Sequence, residues 1–185
     1  MRSPLGKALR KSFSSKVQHS LQHFVSVKEN SLLPGDLLYV WRFRPNLNFY
    51  ILLSISQKFH DDSFTVELAC SADDFPFTHA ALGPNPQKDG SVRFRLPQLY
   101  RDEWRPRSGW EPRWWIGPPR QPALENAVAL DRALRHQRPL LDPGLPIQEA
   151  LILIEPQVED AIDRIRRFGI PYFEHFAHSQ LKPRS

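Results

Sequence analysis

The chain has 185 residues, 41% hydrophobic and 24% charged, with 12 Phe, 5 Trp and 4 Tyr. That length suits a single domain with a sizeable core, and the composition excludes wholesale disorder. Eighteen Pro against 8 Gly and a single Cys point to many irregular connections, exclude an intramolecular disulfide and favour a reducing, cytoplasmic setting.

The net charge of +5 is unevenly spread. Residues 1–28 hold six basic and no acidic residues; 29–92 hold four basic and eight acidic, 93–120 seven and three, and 121–185 eight and nine. Residues 1–15, basic and rich in serine, read as a flexible segment able to bind polyanions weakly. Met1 to Lys16 contains no apolar run of signal-peptide length, and nowhere do 18 apolar residues run together, so a cytoplasmic protein without a membrane span is expected.

From Lys16 to Lys28, Val17, Leu21, Phe24 and Val25 follow i, i+4, i+7, i+8, the face of an amphipathic helix. Pro34-Gly35-Asp36 marks a turn. Leu37 to Arg44 is rich in β-branched and aromatic residues and reads as a strand closed by Pro45-Asn46. Asn48 to Phe59 predicts a second strand. Ser63 to Cys70, with Phe64, Val66 and Leu68 alternating against Thr65 and Glu67, predicts a half-exposed third. Residues 71–90 read as a long connection and Val92 to Leu96 as a fourth strand.

Two helical stretches follow. The first spans Pro122 to Gln137 and the second Pro146 to Phe168, with Gly169 as the stop. Pro156 is expected to split the second into 146–154 and a longer helix from 156. The fold class is therefore α+β: an antiparallel meander of about four strands packed against an N-terminal helix and C-terminal helices. One domain covers 16–176, with a proline-, arginine- and tryptophan-rich insert at 101–122 and a flexible tail at 177–185.

Tyr39 to Arg44, the strand pair from Phe49 to Val66, Val92 to Leu99 followed by Trp114-Trp115, and Val158 to Phe173 ending Gly169-Ile170-Pro171-Tyr172 occur in an order that resembles the mostly bacterial family called domain of unknown function 4304. The resemblance covers residues 17–175 and implies an α+β domain with no established reaction. The resemblance also implies a setting, since some small domains of this style occur near bacterial toxin or defence genes. The insert at 101–122 departs from the pattern.

No nucleophile elbow, phosphate loop, dinucleotide fingerprint, H-E-x-x-H or paired C-x-x-C is present. No catalytic residue, metal or cofactor is assigned. His19 and His23 lie four apart but lack a neighbouring carboxylate, and read as a solvated helix face; His175 and His178 lie near the terminus. Cys70 reads as a buried structural thiol. Asp61-Asp62, Asp73-Asp74 and Asp102-Glu103 sit in turns where adjacent side chains diverge.

The insert carries the candidate contact residues Arg101, Trp104, Arg105, Arg107, Trp110 and Arg113. Trp and Arg dominate binding hot spots because they join large contact area to a polar handle. Trp114 and Trp115 are the members best suited to the core. The leading expectation is a non-enzymatic interaction module with a protein partner, of the kind that serves as a toxin-immunity or defence accessory protein. The alternatives are nucleic-acid binding through the basic N-terminus and residues 93–120, and a hydrolase using carboxylates with His60 or His79.

Overall fold

The computed structural model describes residues 3–28, 36–55, 63–72, 83–86, 91–100, 114–116 and 146–179. Helix α1 (Ser3–Ser20) opens the chain. Leu5, Ala8, Leu9, Phe13 and Val17 recur every three or four residues along it and are all buried, as an amphipathic stripe requires. This corrects the expectation of a flexible segment over 1–15 and a helix from 16 to 28. Lysines and serines around these apolar positions had masked the stripe. The last turn closes with Leu21 N–H donating to Val17 O at 2.8 Å.

Past Leu21 the chain turns into a short strand, β1 (Val25–Val27). The sheet continues through β2 (Leu37–Arg44), β3 (Leu47–Ile55), β4 (Ser63–Ser71) and β5 (Val92–Arg95), neighbours in that order and all antiparallel. β6 (Trp114–Trp115) pairs with Ser63 and Phe64 of β4, and β5 pairs with Glu67 to Cys70, so both lie along the outer edge of β4. The expected meander is β2 to β5. It turns between β2 and β3 at Asn46, which adopts φ 62, a left-handed conformation that asparagine tolerates better than most residues.

Every residue of β4 is buried, so the expected half-exposed strand is a central one covered on both faces. Phe64, Val66, Leu68 and Cys70 join Tyr39, Phe49, Ile51, Leu53 and Phe94 in the main core with the helices. On the opposite face, Ala69 packs with Leu38, Val40, Tyr50 and Leu52 in a second cluster. Glu67 shares that face and is held by Arg93, whose Nη2 lies 2.7 Å from its Oε2.

After β5 comes a 3-10 turn (Leu96–Leu99). Helix α2 (Ile147–Arg164) then runs unbroken through Pro156, which corrects the expected split. A helical proline removes one N–H bond and crowds the preceding turn, but Ala150, Ile154, Val158 and Ala161 on the buried face span the site. α1 and α2 pack together. Lys16 of α1 reaches Glu159 at 2.8 Å and Glu155 at 3.3 Å, and Ser12 Oγ donates to Glu155 Oε1 at 3.0 Å. The hydrogen bond that Lys16 donates to Glu159, and after it that to Glu155, raises the Lys16 pKa against the opposing effect of burial. An acid-free helix is thus docked on an acid-rich one.

Gly169 does not end the helix as expected. A π-helical turn (Ile165–Gly169) leads directly into α3 (Ile170–Ser179). Pro171 offers no N–H and would crowd a carbonyl of the turn before it, and a widened turn relieves both conflicts. The added residue also keeps the apolar face in line: Ile165, Gly169, Phe173 and Ala177, each four apart, are all buried. α3 reaches Ser179, so residues 177–179, expected in a flexible tail, are helical. The expected helix at 122–137 lies outside the described residues.

No helix among the described residues is long and apolar enough to cross a membrane.

Candidate functional site

The end of α1, the turn into β1, strand β2 and the π turn with α3 meet at one corner of the molecule. They enclose an open cleft of about 380 Å³, lined by His19, Ser20, Leu21, Gln22, His23, Phe24, Trp41, Arg166, Ile170 and Glu174. Its floor is fixed by aromatic packing. Trp41 meets Phe24 edge-on at 5.8 Å and Phe49 at 5.4 Å between ring centroids, and Phe49 stacks on Phe173 of α3 at 4.6 Å. The buried anchors Leu21, Phe24, Phe49 and Phe173 therefore tie all the walls together. His23 lies flat on Trp41, with centroids 4.8 Å apart and planes 17° apart.

The polar side chains of the rim are exposed: His19, Gln22, His23, Arg166 and Glu174. Arg166 differs from its neighbours. Arg164 Nε donates to both oxygens of Asp160 at 2.8–2.9 Å, and Arg167 lies 3.7 Å from Asp163. Each is paired one turn back. One turn back from Arg166 is Ile162, and Arg166 forms no ion pair with any described residue.

This corner suits recognition by charge, hydrogen bonding and stacking. Among the described residues no group of three or more His, Cys, Asp or Glu is placed to hold a metal ion. Cys70 is fully buried in the main core, and burial pushes its thiol well above its ordinary pKa, which removes it as a nucleophile. Asp36 accepts from Ile55 N–H at 2.8 Å and Ser54 Oγ at 3.2 Å; burial raises its pKa, with those hydrogen bonds opposing, and its role is to pin the start of β2 to the end of β3.

Arg101, Trp104, Arg105, Arg107, Trp110 and Arg113 lie outside the described residues, as do His60, His79 and the three acid pairs. Trp114 is in the core: it is 2% exposed, stacks on Phe64 at 5.4 Å, and its Nε1 donates to Asp160 Oδ2 at 2.8 Å. His19 and His23 share the cleft, while His175 and His178 are exposed on α3.

Sequence reasoning did not assign Trp41, Arg166, Ile170 or Glu174 to a site. The signal was the i, i+4, i+8 spacing of the last three, legible only once a helix is carried across Gly169. The fold and cleft define a mixed α+β domain with one helix-covered antiparallel sheet and a solvent-open corner site. No family model, curated protein or solved structure matches the chain.

Proposed function

We propose that this protein is a non-enzymatic, cytoplasmic interaction module that holds a protein partner at the corner cleft. The observation that carries the reading is Arg166: an exposed guanidinium in a cleft lined by Trp41 and Ile170, without, among the described residues, a carboxylate partner of the kind that engages Arg164 and Arg167. Arginine beside an aromatic residue is the usual composition of an interface anchor. The single, buried cysteine supports a reducing compartment. At the cleft a protein partner fits better than a nucleic acid, because the rim carries the exposed carboxylate of Glu174 as well as Arg166, and a carboxylate repels a phosphate backbone.

The test is a quantitative affinity purification from the native host with the wild-type chain, Arg166→Glu and Lys7→Glu, the last altering an exposed position on α1 away from the cleft. The reading predicts a stoichiometric protein retained by wild type and Lys7→Glu and lost with Arg166→Glu. Equal recovery by all three, or recovery of nucleic acid alone, contradicts it.

A further inference from the structure

Arg166, Ile170 and Glu174 line the same cleft at successive helical turns, which makes a stripe running positive, apolar, negative. Eight residues, the first of them in the widened turn, place the two charged ends somewhat under about 12 Å apart along the axis. An extended chain covers that distance in about four residues, and its alternate side chains share one face. His23, lying flat on Trp41, adds a planar ring surface to the lining beside this stripe. A cleft of about 380 Å³ admits a few side chains of such a segment. The carboxyl end of α1 adds partial negative charge beside His19 and Ser20, so the cleft is dipolar and does not suit a polyanion.

Resting on the reading above, we infer that the ligand of this cleft is an extended peptide segment of the partner with a carboxylate side chain, an apolar side chain two residues on and a cationic side chain two residues beyond that. The carboxylate seats on Arg166, the apolar side chain on Ile170 and Trp41, and the cation on Glu174. Specificity comes from matching both charges across a fixed span, since a charge of the wrong sign at either end is repelled.

The probe is a capped nine-residue peptide with Glu-Ala-Leu-Ala-Lys at its centre, titrated into the 15N-labelled full chain, with shift changes followed at Gln22, His23 and Ile170. Replacing its Glu by Gln should weaken binding about tenfold, the effect of losing one charge-assisted contact. Arg166→Glu should abolish binding of this peptide and create binding of Lys-Ala-Leu-Ala-Lys. Glu174→Lys should likewise transfer preference to Glu-Ala-Leu-Ala-Glu. Both changed residues are exposed, so the fold is retained. Equal binding of the Glu and Gln peptides, no exchange of preference in the variants, no peptide binding at all, or tighter binding of a ten-residue oligothymidylate would overturn the assignment. If no peptide binds while partner capture still depends on Arg166, the ligand class fails and the interaction reading stands.

Discussion

Tyr39 and Tyr172 are hydrogen-bonded inside the fold, Tyr39 Oη lying 2.8 Å from Ser14 Oγ and Tyr172 Oη donating to Pro84 O at 2.6 Å. Burial raises both phenol pKa values above their ordinary range, and it raises the Cys70 thiol as well. In the unfolded chain these groups lose protons from about pH 8.5 for the thiol and pH 10 for the phenols, while the folded protein keeps them. Stability that is complete below those values therefore falls as pH rises, by at most about 1.4 kcal/mol per pH unit for each group. Urea midpoints measured from pH 8 to 11 should decline steadily, and Tyr39→Phe should shallow the decline above pH 10. Gly169 offers a second check at this scale. A Cβ there would lie 3.0 Å from Leu68 Cδ1, and Leu68 is fully buried, so Gly169→Val should cost about 2 kcal/mol in urea unfolding through overpacking.

The helices show how far local patterns could be read. Strands β2 to β5 announced themselves through alternation and β-branched content, and the residues between them were turn formers. In helix α1 the stripe of Leu5, Ala8, Leu9, Phe13 and Val17 is obscured by the lysines and serines between them, and Lys16 pairs with Glu155 and Glu159, more than a hundred residues away. No local rule carries that information. Deleting residues 1–15 should therefore expose the partners of Leu5, Leu9 and Phe13 and remove the cooperative thermal transition, whereas a flexible segment could be lost without effect. Pro156 reads as a break and Gly169 as a stop, yet the helix crosses both because its apolar face continues beneath them. Pro156→Ala restores the N–H that the Ile152 carbonyl lacks and should raise stability by about 1–3 kcal/mol, the helical penalty of proline less the unfolded-state stiffness it confers. An unchanged or lower urea midpoint would contradict a continuous α2.

For the molecule as a whole, the uneven charge has a structural meaning. The basic N-terminal segment is a packed helix whose Lys16 faces acidic α2, with Lys7 and Lys11 left exposed. The cleft forms where three stretches distant in sequence converge, residues 19–24, Trp41 and 166–174, which explains why it is not legible as a site: the sequence shows His19 and His23 as a pair and nothing that brings Arg166 or Glu174 to them. The most direct measurement is photo-crosslinking in native-host cells from a benzoylphenylalanine placed at Gln22, on the cleft rim, or at Lys11, on the open face of α1. The account predicts one discrete protein adduct from position 22, absent from position 11 and lost when Arg166→Glu is added. Adducts of equal yield from both positions, or none from position 22, would contradict it.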